Sequence, residues 1–405
     1  MFTGVTSATC DVSDCRTLFV EDQPMSSPLP NTIYLGMDVH KESITIAVLP
    51  QAAAAPTRVE RLPNDAGKLR RFCDRVATQG TLRTCYEASG AGYVVYRLLR
   101  EWGYACDVIA PSLIPIQPGV QRKHDKYDAV PLARLYRAGE LTPVRIPAVA
   151  EERVRDVVRC RETFQREILK SRHYILKFLA RRGFVYRAGK NWGAKHLVWL
   201  RTLAAVQSPL AGEDAMVFRE YFALLEYKLT RRDELDRQIA LLACSPTWAT
   251  AVGWLQCFRG IQVQAAMVLA TELVDWRRFE RPTQLMAYVG LVSREDSSGE
   301  RERKGSITKA GNAQCRHVLI QVAWSYRHQP QVNPHLKGRQ AGQPPSIIAH
   351  AWKAQHRLHK LYQHLAYRKH PQVAVVAVAR ELVGFLWAVM RELPPRATAP
   401  VRTAA

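Results

Sequence analysis

The sequence predicts an α/β domain followed by a mainly helical region. Strand and helix patterns alternate through residues 31–147, whereas from residue 151 strand patterns stop and long amphipathic stretches take over. The 405 residues are enough for two or three domains, each with its own core. A content of 47% apolar and 23% charged residues is typical of a globular protein.

Three strand patterns in succession open the first domain: TIYLGMD (32–38), SITIAVL (43–49) and TRVERL (57–62). Asn64-Asp65 can cap a helix through AGKLRRFCDRVA. The remaining elements are a strand TLRTCYEAS (81–89), a helix GYVVYRLLREWG, a strand YACDVIAP (104–111) and a helix KYDAVPLARLYRAGEL. Three strands followed by helix, strand, helix, strand and helix is the order of an RNase H-like domain, in which a meander is extended by parallel strands joined through crossover helices.

Residues 148–247 predict two long helices around a basic insert. Six of eight seam positions in the first helix are apolar, the set being Val154, Val157, Arg161, Phe164, Ile168, Ser171, Ile175 and Phe178. A second stripe runs through residues 215–243, with Phe218, Phe222, Leu225, Leu229, Ile239 and Leu242. These patterns indicate either a protruding coiled-coil hairpin that mediates self-association or one half of an ordinary helical bundle.

The insert between these helices has a one-sided charge. Residues 168–212 contain nine Lys or Arg and no Asp or Glu. The aromatic residues Phe178, Phe184, Tyr186 and Trp192 are interleaved with basic ones, a combination that holds nucleic acid through phosphate contacts and base stacking. The predicted nucleic-acid-binding residues are Arg181, Arg182, Arg187, Lys190 and Lys195. A solvated charged face is the alternative interpretation.

Residues 248–395 predict a third, helical domain interrupted by one polar loop, VSREDSSGERERKGSITKAGN (292–312). FRGIQVQAAMVLATEL resembles a helix-hairpin-helix unit that presents backbone amides to phosphates. The stretch 351–370 has no acid. His356 and His359 share a helix face there, but without a Cys or carboxylate to complete a metal site we interpret the helix as basic and facing nucleic acid.

Charge and cysteine usage limit the class of protein. A net charge of +22 at pH 7 indicates a polyanionic partner. The nine cysteines are scattered without a C-x-x-C pair and mostly fall in apolar patterns, as buried thiols of a reducing compartment do. No apolar run approaches the roughly 20 residues of a membrane helix, VAVVAVA (373–379) being the longest considered. Residues 1–30 lack a secretory signal, so we expect a cytoplasmic protein with disordered ends at 1–30 and 396–405.

Four acids mark the strand ends and the third helix. Asp38 ends the first strand, Glu87 closes the fourth, and Asp125 and Asp128 lie three residues apart on one helical turn after the fifth. A lone strand-end acid is more often solvated, but in an RNase H-like sheet all four converge. Clustered carboxylates repel one another, and Mg²⁺ relieves that repulsion. The pattern predicts two Mg²⁺ ions, about 4 Å apart, in phosphodiester chemistry.

Four segments resemble the DEDD-type transposases of the insertion sequence one hundred and ten family, whose relatives include Piv-type DNA invertases and RNA-guided bridge recombinases. The segments are GMDVHKESITIAV, YEASGAGY, KHDKYDA and LMAYVGLVSREDSSGERERKGSITKAGN. The resemblance extends from residue 32 to about residue 392. It implies a RuvC-like domain (31–147) joined through a coiled-coil-forming segment to a carboxy-terminal transposase domain (248–395). It also implies DNA recombination, guided in some members by an RNA that the element encodes.

The resemblance assigns roles to residues of this chain. Asp38, Glu87, Asp125 and Asp128 become a metal-binding tetrad, and Ser298 before Gly299 becomes the nucleophile, with Ser297 as its rival. Nearby cations that can neutralise the attacked phosphate are Arg294, Arg301, Arg303, Lys304 and Lys309. Two residues depart from the family pattern: His124 replaces the usual Thr, and Ser293 replaces a common Pro.

We therefore predict a transposase or recombinase of a mobile element, with Mg²⁺ as cofactor. Its expected partners are DNA at the element's ends and target, a guide RNA as in some relatives, and further copies of itself in a dimer or tetramer. A RuvC-like junction nuclease that uses metal-activated water is one alternative, and a catalytically silent nucleic-acid-binding protein is another. An actin-like sugar kinase is disfavoured because Gly-rich phosphate loops do not follow the strand pairs.

Overall fold

The computed structural model of the protein describes residues 31–115, 125–295 and 304–394. Contacts divide the chain into two compact units. The first unit runs to Pro147 and also takes in Arg278–Tyr288 and Ser293–Gly311. The second begins at Ala148 and takes in Val289–Val292 and the chain from Asn312 onward. The sequence-based division at residue 247 stays a prediction.

A five-stranded mixed sheet forms the centre of the first unit. Its strands are β1 (Thr32–Val39), β2 (Ser43–Pro50), β3 (Arg58–Pro63), β4 (Thr81–Glu87) and β5 (Ala105–Ile109). The order across the sheet is β3-β2-β1-β4-β5, with β1 to β3 antiparallel and β4 parallel to both β1 and β5. The predicted strand order is confirmed, and the sheet is consistent with an RNase H-like domain.

Helices cover both faces of this sheet. They are α1 (Ala66–Ala77), α2 (Val94–Glu101) and α3 (Asp125–Ala138). One core cluster joins Leu35 and Met37 of β1 to residues of α1 and α2, and another joins Tyr34 to Ala129 and Ala133 of α3. Because both faces are covered, β1 and β2 read as nearly continuous apolar runs.

Local chemistry explains the element boundaries in this unit. The Asp65 side chain accepts a hydrogen bond from the Lys68 backbone N–H at 2.8 Å, so α1 begins at Ala66 as predicted. β4 ends at Glu87, two residues before its predicted end. Beyond it Ser89 accepts a hydrogen bond from the Ala91 N–H in a turn.

Two long antiparallel helices, α4 (Val149–Ala180) and α6 (Gly212–Ala243), form the arm of the second unit together with the short helix α5 (Ala194–Ala204) between them. Near one end of the pair the ring of Phe178 stacks on Phe218 at 6.4 Å between centroids. Near the other end Arg161 Nε donates to Asp236 Oδ1 at 2.8 Å. The two predicted long helices are therefore present and run in opposite directions.

The predicted seam of α4 is correct for only half its length. Ile168, Ser171, Ile175 and Phe178 are buried, as expected. Val154, Val157, Arg161 and Phe164 stay partly exposed, and Val158 is buried instead. The first half of α4 packs against α8 (Val263–Leu273) as well as α6, so its buried face is not a simple two-helix seam.

The remaining helices complete the second unit around α8. They are α7 (Ala249–Gln256), α10 (Ala313–Ala323), α11 (Pro334–Gln340), α12 (Pro345–Ala366) and α13 (Pro371–Met390). The short helix α9 (Pro282–Tyr288) lies between α8 and α10 in the chain and groups with the first unit. The turn between α7 and α8 contains Gly260 with φ 83°, and a Cβ there would lie 2.7 Å from Ser325 Oγ. Only glycine accommodates both the left-handed backbone and this close contact.

One helix is longer and more apolar than the sequence interpretation allowed. By length and composition α13 could cross a membrane, with a mean hydropathy of 2.0. In the sequence, Arg380 and Glu381 follow the apolar run VAVVAVA and interrupt it. Half of this stretch is buried, and α13 packs against α10 and α12, so it acts as a core helix of the second unit.

The described cysteines are free thiols, and the expectation that they are buried is correct for five of them but wrong for Cys160 and Cys244. Cys73, Cys85, Cys106, Cys257 and Cys315 are buried, whereas Cys160 and Cys244 are exposed. Burial raises the pKa of Cys73 and of Cys106 to about 12. These two thiols stay protonated at neutral pH and are chemically inert.

Candidate active site

Two of the predicted acids are neighbours at one edge of the sheet. The parallel register of β1 and β4 ends at Met37 and Tyr86, so Asp38 and Glu87 are the next residue on each strand. Met37 and Tyr86 belong to the core cluster on the α1 and α2 face. Since side chains alternate between faces, Asp38 and Glu87 point to the opposite face, which α3 covers. Adjacent strands lie about 4.8 Å apart, so these carboxylates leave the backbone side by side.

Helix α3 crosses β1 in direct contact at Gly36. A Cβ at Gly36 would lie 2.4 Å from the Ala129 carbonyl oxygen and 2.4 Å from the Ala133 backbone nitrogen. No other residue type fits without movement of the helix. Further along the crossing, the rings of Tyr34 and Tyr136 meet edge to face at 5.8 Å. These contacts determine which residues of α3 lie against which residues of β1.

The direction of α3 brings its first turn to the edge that carries Asp38. Near the last turn, Arg137 Nη1 donates to the Ala53 carbonyl at 2.5 Å, just after β2 and so at the opposite edge. From Gly36 to Asp38 the strand advances about 6.6 Å, which equals roughly four residues of helix. Gly36 contacts α3 between Ala129 and Ala133. About four residues earlier in α3, Asp125 and Asp128 therefore lie on either side of the position that Asp38 has along β1.

The structure therefore brings Asp38, Glu87 and Asp128 to one edge of the sheet. Asp125 begins α3 at the same level, but its side chain is outside the described part of the chain. Glu87 and Asp128 are exposed, and the Asp38 side chain is 17% exposed. Convergence of all four carboxylate side chains stays a prediction. Joint metal binding by the four acids stays a prediction.

His40 is a neighbour of this site that the sequence interpretation missed. Its Nε2 lies 2.9 Å from Asp38 Oδ2, and Asn64 Nδ2 donates to the His40 carbonyl at 2.8 Å. When Nε2 carries the proton, the imidazole donates to the carboxylate and orients it. The signal available in the sequence was that His40 follows Asp38 by two residues at the end of the strand.

The donor set fits a hard cation by its chemistry. Asp38, Glu87 and Asp128 offer carboxylate oxygens, which Mg²⁺ prefers over nitrogen or sulfur ligands. Among the described side chains, no three His, Cys, Asp or Glu residues form a cluster at metal-binding distances. A complete metal site would need Asp125 as a ligand, or rotation of the exposed Glu87 and Asp128 side chains toward Asp38.

A short hairpin frames the predicted serine loop. β6 (Ser293–Glu295) and β7 (Lys304–Ile307) pair antiparallel, with a register irregularity between Ser293 and Glu295. Several predicted residues lie outside the described residues: Ser297, Ser298, Arg301, Arg303 and the side chain of Lys304. Arg294 and Lys309 are described and exposed, and Lys309 has a left-handed φ of 57°, rare for a residue other than glycine.

Comparison with known families agrees with the order of these features along the chain. A transposase model for DEDD proteins of the IS110 type matches residues 35–182, from β1 to α4. A second model, described as the transposase IS116/IS110/IS902 family, matches residues 254–337, which contain the β6–β7 hairpin. A Sinorhizobium fredii protein named as a transposase (y4qE) is 36% identical over 89% of this chain and 88% of its own length. The chain belongs to the IS116/IS110/IS902 family of transposases.

Other relatives of this transposase are more distant. The transposase for insertion sequence element IS1533 of Leptospira borgpetersenii is 29% identical over 82% of this chain and 96% of its own length. The transposase for IS1111A of Coxiella burnetii is 25% identical over 58% of this chain and 64% of its own length. The two family models together cover the sheet with its acids and the hairpin, but neither reaches α12 or α13.

The central part of the basic insert, residues 181–195, forms the tip of the arm and is called the basic tip here. Four of its predicted nucleic-acid-binding residues are exposed: Arg181, Arg187, Lys190 and Lys195. Arg182 differs, because it pairs with Asp214 at 2.5 Å and its guanidinium lies 3.7 Å from the centroid of the Phe178 ring. The charge of Arg182 is therefore compensated inside the arm.

The aromatic residues of this region pack inside the protein, which differs from the expectation that they stack on bases. Phe178 is buried, and Phe184 and Trp192 pack against the arm's core. The buried His196 accepts a hydrogen bond at Nδ1 from the Trp192 N–H at 3.0 Å. Three rings surround His196 at centroid distances of 4.8 to 5.5 Å, those of Tyr186, Trp192 and Trp199. An irregular insert needs a core of its own, and these rings form it.

Helix α12 presents a second basic face. Its exposed residues include Lys353, His356, Lys360 and His364, with the rings of Trp352 and Tyr367 also exposed. His356 packs edge to face on Trp352 at 4.5 Å, whereas His359 Nδ1 lies 3.1 Å from the Tyr326 carbonyl. The two histidines turn to different partners.

Proposed function

We propose that this transposase cuts and rejoins DNA phosphodiesters with a Mg²⁺-dependent carboxylate site and a serine nucleophile. The carboxylates are Asp38, Glu87, Asp125 and Asp128, and the nucleophile is Ser298. The observation that supports the proposal most directly is the placement of Asp38 and Glu87 side by side on the face that α3 covers, with the first turn of α3 at the same level.

The carboxylates supply a negatively charged surface at the edge of the sheet. When Mg²⁺ is bound to such oxygen ligands, it lowers the proton affinity of an attacking oxygen and neutralises charge on a leaving oxygen. Asp38 is held by its hydrogen bond to His40, and the contact at Gly36 holds α3 against β1. The site is thus built on a strand and a helix, which position its groups more accurately than loops do.

The serine hydroxyl carries the covalent step. Ser298 Oγ forms a bond to the DNA phosphorus, one phosphorus–oxygen ester bond of the DNA breaks, and the serine proton ends on the leaving DNA oxygen. The reverse attack by a DNA hydroxyl restores the serine and rejoins a strand without an external energy source. Arg294 and Lys309 are exposed on the hairpin and close in sequence to Ser298, so they are suited to neutralise the attacked phosphate.

A covalent adduct between protein and DNA tests this proposal. The full chain is incubated with the element's junction DNA, RNA transcribed from its flanks and Mg²⁺, then denatured and analysed for DNA-linked protein. We expect an adduct for the native protein and for Ser297→Ala, and none for Ser298→Ala or Asp38→Asn.

Each other outcome contradicts part of the proposal. DNA cleavage without an adduct would favour a junction nuclease that uses activated water. DNA binding with neither cleavage nor adduct would favour a silent binding protein. An adduct that persists in Ser298→Ala and disappears in Ser297→Ala would move the nucleophile by one residue.

We also propose that the basic tip and the exposed face of α12 bind the nucleic acids of the reaction, DNA and an element-encoded RNA. The tip contributes four exposed cations. Helix α12 contains no acid, and of its cations Arg357 is paired with Glu381 of α13, while Lys353 and Lys360 are exposed. Exposed apolar side chains on the arm support self-association through it, among them Tyr174, Leu224 and Tyr227. Omitting the RNA from the adduct assay shows whether a guide is needed.

A further inference from the structure

A row of side chains crosses the sheet at the edge that carries the acids, and it ends in a cation. Asp38 of β1 pairs with Thr45 of β2, and Thr45 pairs with Arg61 of β3. Directly opposite residues of antiparallel strands place their side chains on the same face of the sheet. Arg61 therefore lies on the face of Asp38 and Glu87. It is two strands from Asp38, which is about 10 Å.

This face of the outer strand β3 is open. Val59 is 45% exposed there, and Arg61 is exposed as well. Helix α3 packs on β1, β2 and β4 of the same face. The open side of β3 therefore forms a surface strip beside α3, which continues into the edge with the acids.

Helix α3 contributes a second cation to this side. Val130 packs with the core cluster that includes β2, and Arg137 donates to the Ala53 carbonyl just after β2. Arg134 follows Val130 by four residues and precedes Arg137 by three, so it lies on the same side of the helix. It is exposed. The strip between β3 and α3 is therefore basic.

Ser43 orients the guanidinium of Arg61. Arg61 donates to the Ser43 Oγ from Nε at 3.1 Å and from Nη2 at 3.0 Å. Ser43 precedes Thr45 by two residues, so the guanidinium leans toward the edge with the acids. The planar fork of an arginine matches two oxygens of one carboxylate or phosphate. Here a single hydroxyl accepts both donors, and Nη1 has no partner among the residues that the structure describes.

The charge of Arg61 is not compensated as that of its neighbour is. Arg58 of the same strand pairs with Glu60, and Arg75 of α1 lies 3.6 Å from the same carboxylate. Arg61 forms no ion pair within the described part of the chain. An oriented, exposed and unpaired guanidinium is suited to bind an anion, and phosphates are the anions of a nucleic acid.

We propose that Arg61 contacts a phosphate of the DNA strand that is cut, within about three nucleotides of the attacked phosphate; this rests on the proposed function above. The distance of about 10 Å from Asp38 corresponds to about three steps of roughly 3.4 Å along a DNA strand. The strand is DNA rather than RNA because Arg61 shares its row with the acids that act on DNA. Ser43 orients the fork in advance, so less side-chain freedom is lost on binding.

A binding measurement without Mg²⁺ tests this contact while no strand is cut. Fluorescence anisotropy follows labelled junction DNA of the element, mixed with the full chain and RNA transcribed from the flanks. We expect Arg61→Gln to raise the Kd about tenfold, because a charge-assisted hydrogen bond is lost. The slope of log Kd against log salt concentration should fall by about 0.9, the value for one phosphate contact.

DNAs that each carry one uncharged methylphosphonate locate the contacted phosphate. For the native protein we expect one position to raise the Kd about tenfold through Arg61. In Arg61→Gln that position should have no further effect, while all others keep theirs. The position should lie within about three nucleotides of the linkage that forms the covalent adduct.

Two further variants separate this role from folding. Arg58→Gln removes a cation of the same strand on the opposite face, and it should keep the native salt slope and methylphosphonate pattern. Ser43→Ala keeps the charge of Arg61 but removes the acceptor that orients it. It should raise the Kd about threefold without a change of slope. Thermal unfolding checks that Arg58→Gln and Arg61→Gln remain folded.

The contact is refuted if Arg61→Gln keeps the native response to every methylphosphonate, or if Arg58→Gln loses as much salt slope as Arg61→Gln. Weaker binding of labelled RNA alone would place Arg61 on the RNA and would also refute it. Failure of the native protein to form any adduct would instead refute the proposed function, since the binding measurements do not depend on cleavage.

Discussion

Replacing Gly36 with alanine should move α3 away from β1 and lower both stability and recombination. The new Cβ would lie 2.4 Å from two backbone atoms of α3, the Ala129 oxygen and the Ala133 nitrogen, and 3.0 Å from the Ala133 Cα. Backbone atoms cannot rotate away as a side chain can. The helix that carries Asp125 and Asp128 must therefore shift as a whole.

The distances set the size of the effect. Ordinary contact begins at 3.4 Å, so α3 must retreat by about 1 Å. Overpacking of this kind costs about 1–3 kcal/mol. At roughly 2–4 °C per kcal/mol for a unit of this size, the melting temperature should drop by about 2–12 °C. A shift of about 1 Å in two of the four acids should slow the reaction about 100-fold.

The assay compares Gly36→Ala with Gly67→Ala, a glycine of α1 in the same unit whose added Cβ would meet only side-chain atoms at 3.4 Å or more. Thermal unfolding measures stability, and covalent adduct formation measures activity below the unfolding transition. Gly67→Ala should match the native protein in both. If Gly36→Ala also matches it in both, the contact between α3 and β1 does not position the acids.

Three further predictions concern the site and the arm. Removal of divalent cations by EDTA should abolish the adduct, and added Mg²⁺ should restore it; an undiminished adduct would exclude the metal role of the acids. Phe218→Ala, which removes a fully buried ring stacked on Phe178 and Phe222, should cost about 3–5 kcal/mol in denaturant unfolding, whereas Leu224→Ala at an exposed position should cost little. Burial lowers the pKa of His196, so the unfolded chain binds the proton more readily, and stability that is fully present above about pH 6.5 should be lost as the pH falls below it. His196→Phe should flatten this part of the curve of unfolding free energy against pH, and an unchanged slope would contradict the assignment.

Short-range chemistry made much of the first unit predictable. The bounds of α1 follow from the Asp65 cap and the apolar stripe behind it, both local in sequence. The strand order follows from counting patterns and from the handedness of crossovers. Asp38 and Glu87 could be placed together because each ends a strand, and parallel neighbours end at the same edge.

Long-range packing accounts for what the sequence did not show. The buried face of α4 depends on α8, a helix about one hundred residues later, so a heptad pattern alone placed Val157 on the seam instead of the buried Val158. The contact of Gly36 with α3 has no local signature. Arg159 Nε donates to Glu272 Oε1, yet the two residues are 113 positions apart and each looks like an ordinary charged helix residue in the sequence. The rings around His196 resembled a nucleic-acid pattern because composition cannot distinguish a small core from an exposed surface.

The alternation of the chain between its two units limits how such an enzyme can be dissected or inherited. The boundary is crossed after Pro147 and again at Arg278, Val289, Ser293 and Asn312. No single cut releases the sheet together with all the segments that group with it. A fragment ending at Pro147 would lack Arg278–Tyr288 and Ser293–Gly311, and a gene fusion at that point would separate the four acids from the proposed nucleophile. We therefore expect recombination between related genes to transfer both units together rather than either unit alone.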